Sequence, residues 1–513
     1  LQPKIKTFNS VVVVAVFLLL NFFLSIFLQL FLASLFGAKM EMDAYIVAMV
    51  IPLVIYSLIV SYEAIFIPLF KSYSIKNEKH KLNKLISLVF NLLFLVLTGI
   101  ALVGVWLSPK LVSLLAPGLN PATRDLAVVL FRLMIPSVLF SGLADYLRGV
   151  YFSEEKFFLP ALVPVANIAV ILATTFLFHK SLGIKSVALG VLLGSVAQTL
   201  ILLPAFLFKK RYEFTLDIRH TELPQISKKL VWLTVGGASL GLLLLLEKYL
   251  ASSFPEGLIS SMGYANKITS LMALLPSAAI PTVLLPQLSG YYALGDMDRL
   301  RELLSKGMRM TFLCVFPIAV LLMILRLPLI KLLLERGAFD ATAVNNTSIA
   351  LVCYLGVLIA MGISRVLGIG FLAMHDVKRP ALLMIGTFLL YAACAPWLSR
   401  VYSFKGLAFA FSLACLVSMS VEVYILRKKL GGIDGRKLLN SFLKIGLASL
   451  AMGVTVQLIF YRLATLSLIL RMGFTVLAGF LVFNLFCFIL RVDELKLIYE
   501  TIRLKMQGAY NRK

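Results

Sequence analysis

The chain has 513 residues, 60% of them hydrophobic and only 14% charged; soluble domains carry about a quarter charged residues, so too little polar surface exists here to clothe a globule in water. Its 49 Lys+Arg against 24 Asp+Glu give a net charge of +25, which in a soluble protein would suggest nucleic acid and here has to be read by position. Disorder, collagen-like repeats and disulfide scaffolds are excluded by the same composition.

A helix that crosses the hydrocarbon core needs about 20 mostly apolar residues. In chain order, such stretches predict fourteen spans, at 10–36, 42–70, 85–107, 126–150, 159–178, 187–208, 230–250, 258–286, 308–328, 345–374, 380–399, 406–426, 441–461 and 470–490. The runs are too long and too uniformly apolar for barrel strands, and backbone groups cannot stay unpaired in lipid, so the expected fold is all-α and polytopic. The first stretch follows Lys4 and Lys6 as a signal peptide would. It is too long for one, lacks a small-residue cleavage site and runs at once into another span, so it reads as a span.

Lysine and arginine collect on one side of this topology: Lys71, Lys76, Lys79, Lys81 and Lys84, then Lys209, Lys210 and Arg211, then Arg427, Lys428 and Lys429, then the tail from Arg491. The positive-inside rule therefore places both termini in the cytoplasm. Cations spread over loops, without a nucleic-acid motif, argue against a nucleic-acid partner. They set topology and attract the anionic headgroups of the phospholipid bilayer.

The sequence repeats itself. Tyr45 and the close Ile67-Pro68-Leu69-Phe70 of the second span match Tyr264 and Leu285-Pro286-Gln287-Leu288 of the eighth, and Phe152 before Pro160-Ala161-Leu162 matches Phe371 before Pro380-Ala381-Leu382. The offset of about 218–220 residues holds six spans, an even number, so both copies share one orientation. The domains expected are an N-lobe at 1–208 (spans 1–6), a cytoplasmic linker at 209–229, a C-lobe at 230–428 (spans 7–12), and spans 13 and 14 with a basic tail at 429–513. Two lobes related by an axis along the membrane normal can open a site to either face by rocking.

An ionisable group near the bilayer centre costs about 2.5–3.5 kcal/mol, so each needs a reason. Asp43 begins its helix, where a carboxylate serves equally as a cap or as a functional group. Glu247 and Lys248 lie near the outer end of their span and are expected to snorkel. Asp145, Arg148 and Glu422 lie near cytoplasmic ends and are expected at the interface. Lys267 and Arg365 sit deeper, with no partner one helical turn away, and are expected to line a cavity. Arg132 is a further intramembrane cation, and Glu63 suits an inter-helix ion pair as well as a substrate or cation site. Pro52, Pro68, Pro136, Pro276, Pro281 and Pro286 interrupt these helices, either curving them around a hollow or bending them for packing.

The five cysteines, Cys314, Cys353, Cys394, Cys415 and Cys487, are widely spaced in apolar runs and read as small buried hydrophobes. There is no nucleophile elbow, no HExxH and no GxxxxGK[ST]. No catalytic residue, metal or cofactor is therefore expected, and transport would draw on an ion gradient, the membrane potential or the substrate's own gradient. The outer loops, longest at 108–125 and 329–344, are short for a membrane-embedded glycan ligase or polymerase, so an enzyme is not expected.

The stretch from Phe36-Gly37 to Pro52, Ala116-Pro117-Gly118, Tyr264-Ala265-Asn266-Lys267 running to Pro286-Gln287-Leu288-Ser289, Glu335-Arg336-Gly337-Ala338-Phe339-Asp340, and Asp376-Val377-Lys378-Arg379-Pro380 together resemble the MurJ/MviN lipid II flippases. The resemblance implies the fold of the multidrug/oligosaccharidyl-lipid/polysaccharide exporter superfamily, with a V-shaped cavity between two lobes. It also implies flipping of an undecaprenyl-diphosphate-linked saccharide, foremost lipid II, across a bacterial inner membrane by a monomer coupled to a monovalent cation or the membrane potential. Lys267, Arg365, Arg132 and Asn266 would bind substrate, and Asp43 and Glu63 would gate or couple. Where family members carry arginines in helices one and two, this chain has Phe22, Leu28 and Tyr56; the arginine of helix eight is Lys267. The alternative cargo is an O-antigen or exopolysaccharide lipid, or a drug exchanged for a cation.

Overall fold

Apolar runs in lipid must close their own backbone hydrogen bonds, and helices do this locally. A computed structural model of the chain describes residues 2–60, 70, 79–207, 212–215 and 223–496. Every regular element among them is an α-helix. In order these are α1 (Gln2–Phe36), α2 (Met40–Val60), α3 (Lys79–Leu115), α4 (Pro121–Met134), α5 (Ser137–Ser153), α6 (Phe158–Leu182), α7 (Lys185–Leu207), α8 (Leu223–Ala251), α9 (Leu258–Ala293), α10 (Met297–Ile324), α11 (Arg326–Leu334), α12 (Ala341–Cys353), α13 (Leu355–Ala373), α14 (Lys378–Lys429), α15 (Gly435–Arg462) and α16 (Leu468–Ile489).

Each of the fourteen expected spans has its helix among the described residues, the second as far as Val60 with 61–69 outside them, and with three adjustments. The fourth is broken into α4 and α5 beside Pro136, and the tenth into α12 and α13 at Tyr354. The eleventh and twelfth join in α14, which turns at Ser403 (φ 55°, ψ −141°). Twelve helical segments of the described residues are long and apolar enough to cross a membrane.

Helix starts follow side-chain chemistry. Asn120 accepts a 2.7 Å hydrogen bond from the Thr123 N–H with Pro121 at the first helical position, Asp340 accepts from Ala343 N at 2.8 Å, and Asp296 accepts from Arg299 N at 3.1 Å.

The helices form two compact units, Leu1–Ser260 with Arg336–Phe339, and Ser261–Glu335 with Asp340–Lys513. In the first, α6 packs along α7, α5 against α7, α1 against α6, and α2 against both α4 and α8. Its core includes Phe70, Leu85, Leu147 and Val163, and the two core tyrosines donate their hydroxyls to backbone carbonyls: Tyr146 to Ile86 at 2.8 Å and Tyr151 to Leu202 at 2.9 Å. In the second, α10 packs against α13 and α15, α13 against α14, and α15 against α16, around Leu288, Leu304, Met308, Phe371 and Leu426. Its buried Glu494 accepts from Arg309 Nη1 at 2.6 Å and from Ser441 Oγ at 3.2 Å, tying the chain after α16 to α10 and α15.

The repeat is written into the backbone. Positive φ recurs at Gly37 and Gly257 (62° and 85°), at Glu155 and His375 (60° and 56°), and at Gly183 and Ser403 (both 55°), each pair 220 residues apart. The helix-capping Asn120 and Asp340 hold the same interval. Turn geometry has thus kept the register where side chains have diverged.

Some polar and cysteine expectations change. Glu247 and Lys248 do not snorkel: both are buried, and Lys248 Nζ donates to Glu247 Oε1 at 2.6 Å. Neighbours on a helix point about 100° apart, but a long lysine stem bends back far enough to meet the carboxylate. Asp145 and Glu422, near their cytoplasmic ends, are buried within the protein; Asp145 accepts from Arg148 Nη1 at 2.7 Å. Of the cysteines only Cys487 is buried and Cys314 is exposed, because an apolar side chain facing lipid gives up nothing by staying uncovered.

Candidate functional site

The polar residues expected to carry function divide into one group with partners and one without. Asp43 belongs to the first. It lies one turn into α2 with 2% of its surface exposed. Its carboxylate does not cap its own helix: Oδ2 accepts from Gly257 N at 2.6 Å and Oδ1 from Ser260 N at 2.7 Å. These are N–H groups at the start of α9, which a helix leaves without partners of its own and where the dipole favours an anion. Glu256, just before α9, returns the arrangement, its Oε1 accepting from Met40 N at the start of α2. Each of these two helices is capped by an acid from the other's end.

Close backbone approach surrounds this exchange. Gly257 (φ 85°) lies against the Ala38 carbonyl, and Gly337 (φ 58°) lies against that of Ser34, which also accepts from Ala338 N at 2.9 Å; a Cβ at either glycine would collide with the carbonyl. Gly118 N donates to Ser252 Oγ at 3.1 Å. Segments 34–43, 118, 252–260 and 337–338 therefore meet in one hydrogen-bonded clasp within the first unit.

The cations are placed differently. Lys267 lies on α9 about 13 Å along the axis from its first residue, and Arg365 on α13 about 12 Å from its last. Both are exposed in the second unit and neither makes an ion pair among the described residues. Asn266, beside Lys267, accepts from Ser270 Oγ at 3.2 Å. Arg132, in the first unit, is exposed but tethered: its Nε donates to Ser108 Oγ on α3 at 2.7 Å. Glu63 lies outside the described residues.

Beyond the spans, Asp376 joins α13 to α14. It accepts from Lys429 Nζ at 2.7 Å and Arg379 Nη1 at 2.8 Å. Partial burial opposes its ionisation, but the Lys429 hydrogen bond, the Arg379 N–H and the two positive charges outweigh that and hold its carboxyl below the usual carboxylate range.

A family model described as lipid II flippase MurJ matches residues 32–474. The chain belongs to the MurJ lipid II flippase family. It is 29% identical over 395 residues, 74% of this chain and 76% of the relative, to the lipid II flippase MurJ of Burkholderia cenocepacia. It is 26% identical over 422 residues, 80% and 81% of the two chains, to a probable lipid II flippase MurJ of Buchnera aphidicola. Among solved structures, a lipid II flippase MurJ in an inward closed conformation superposes with a TM-score of 0.81 at 23% identity, covering 94% of this chain and 99% of that one. An inward-facing multidrug MATE transporter of the MOP superfamily gives 0.70 at 12% identity over 80% and 94%, a likeness of fold.

The MurJ-like stretches at Phe36-Gly37, Ala116-Pro117-Gly118 and Arg336-Gly337-Ala338-Phe339 are parts of the same clasp, although far apart in sequence. Glu256, Gly257, Ser260 and Ser252, which complete it, were not singled out by sequence. Their one local signal was Pro255-Glu256-Gly257 ahead of a long apolar run, a helix-start pattern whose partner no local pattern names.

Proposed function

We propose that this chain flips lipid II, an undecaprenyl-diphosphate-linked saccharide, from the inner to the outer leaflet of a bacterial cytoplasmic membrane by alternating access. Family membership supports the cargo. The observation that carries the mechanism is Lys267, an exposed lysine about 13 Å down a membrane helix with no ion pair among the described residues. Held against lipid it would cost about 2.5–3.5 kcal/mol, which a water-filled cavity avoids. Lys267 and Arg365 bind the diphosphate in such a cavity and Asn266 offers the sugar a hydrogen-bonding amide; Arg132, on the first six spans, is a separate cation for the substrate. The prenyl tail stays in lipid.

The lobes that rock are 1–208 and 230–428, joined by the linker 209–229. By the positive-inside rule both termini are cytoplasmic, so the Asp43 clasp lies at the outer ends of α2 and α9. It acts as the outer latch: closed while the cavity is loaded from the cytoplasmic side, opened for release. Glu63 serves coupling to a monovalent cation or the membrane potential. The protein works as a monomeric transporter, with no catalytic residue and no cofactor.

The test is reconstitution in vesicles with labelled lipid II and an outer-leaflet accessibility readout. Wild type exposes lipid II and K267A/R365A does not. Equal flipping by the two would remove these cations from the site, and failure of wild type to rescue cells depleted of their lipid II flippase would remove the cargo.

A further inference from the structure

The hairpins that close the two repeats, α6–α7 and the two arms of α14, are built alike and end differently. Along α7, Gly190 comes within 3.1 Å of the Ile171 Cα, measured from where its Cβ would stand, and Gly194 is pressed against Asn167. Small residues let these backbones approach and seal the pair. At the positions 220 residues on, α14 carries Ala410 and Ala414, with the large buried Tyr391 opposite in place of Ile171. Near their turn, with Gly406 lying against the Leu398 carbonyl, the arms of α14 are in contact. Between them lies a groove of about 530 Å³, lined by Leu382, Leu383, Gly386, Leu390, Val417 and Val421 with Arg379 at its mouth. The Thr387 hydroxyl, donating to Ser418 Oγ at 2.7 Å, bridges the arms.

We propose that this groove binds one anionic glycerophospholipid, its phosphate on Arg379 and one acyl chain between the arms of α14. Three features select that occupant. The lining runs from Arg379 to Leu390, about 16 Å along the helix, close to the roughly 15 Å depth of one leaflet's hydrocarbon. The wall is apolar, so at this depth a lipid chain fills it at no desolvation cost. The mouth is cationic: Arg379 and Lys429 share the single carboxylate of Asp376, leaving one positive charge in excess, and Lys378 and Lys428 stand exposed nearby. A zwitterionic headgroup would bring its own ammonium to that cluster, whereas an anionic one brings the phosphate alone. The α6–α7 hairpin lacks the cationic mouth, with Leu159 standing where Arg379 stands. This inference is independent of the transported cargo.

Gly386 supplies a clean test, since nothing lies within 4 Å of a Cβ placed there. A phenylalanine at that point starts from open space and puts its ring in the groove. Full-length protein is equilibrated with mixed phosphatidylglycerol and phosphatidylcholine and examined by native mass spectrometry. Wild type is expected to retain phosphatidylglycerol several-fold over phosphatidylcholine; R379Q is expected to bring the ratio to about one with total lipid unchanged; G386F is expected to remove the retained lipid of either headgroup. G99F, where Gly99 likewise has open space around it, is the bulk control and should match wild type. Equal retention of the two lipids by wild type, an undiminished preference in R379Q, or full retention in G386F would each overturn the proposal.

Discussion

Asp43 and Lys267 are both charges carried on apolar helices, and their surroundings differ in kind. The carboxylate is buried with both oxygens occupied by backbone N–H groups, while the ammonium is exposed and makes no ion pair among the described residues. A charge whose hydrogen bonds are complete within the fold contributes mainly stability. A charge left open contributes little to stability and stays available to a ligand. The comparison separates groups that hold the resting state from groups that meet substrate, which sequence alone placed together as intramembrane ions.

The largest effect that would break this contrast is on transport. K267A/R365A is expected to lower lipid II flipping more than about tenfold, since each charge-assisted hydrogen bond contributes about 1.5–3 kcal/mol, while thermal unfolding in detergent stays at the wild-type midpoint. A lowered midpoint would mean that these cations belong with Asp43. Second is the reverse experiment. D43A strands the N–H groups of Gly257 and Ser260, at about 1–3 kcal/mol for each buried donor, and should unfold several degrees lower; D43N keeps one acceptor oxygen and should fall between. If D43A melted like wild type, the clasp would not be holding α2 to the start of α9.

A smaller effect tests whether the exchange of caps is symmetrical. Glu256 is exposed where Asp43 is buried, so E256Q, which keeps an oxygen for Met40 N, should shift the midpoint by no more than about 1 °C. The smallest concerns pH. The Asp376 carboxyl is depressed in the folded protein, so its contribution is complete above the ordinary aspartate value of about 4 and is lost as pH falls through the lower folded value. Wild type and D376N should therefore differ in unfolding midpoint at pH 7 and at pH 5 alike, and converge only on further acidification. Convergence already at pH 5 would mean that Lys429 and Arg379 do not hold the ionised form.

Much of the fold was legible because the signals are local. Apolar length marks each helix, Pro136 marks a break within the fourth span, and the 218–220 residue offset marks the duplication, which the turns at Gly183 and Ser403 preserve. Lys267 and Arg365 were legible as lone cations for the same reason. What stayed hidden is contact between distant segments. Asp43 reads as a cap, and it is one, but of a helix more than two hundred residues away. The Glu247–Lys248 pair misled in the other direction, because adjacency on a helix suggests divergence and the flexible lysine cancels it. The groove in α14 was unreadable for the same reason: its lining comes from two arms, around Leu382–Leu390 and Val417–Ile425, that lie about thirty residues apart and meet only in the fold.

The clasp also bears on how the protein is made. Ser260 follows Asp43 by 217 residues, which at about 5–20 residues per second is roughly 10–40 s of synthesis. The Gly337–Ala338 backbone that rests on Ser34 emerges later still. For that interval α2 sits in the membrane with its carboxylate unanswered, and the first six spans, released alone, would never receive the groups that complete them. Assembly of the amino-terminal half therefore waits on the ribosome reaching the second half of the message.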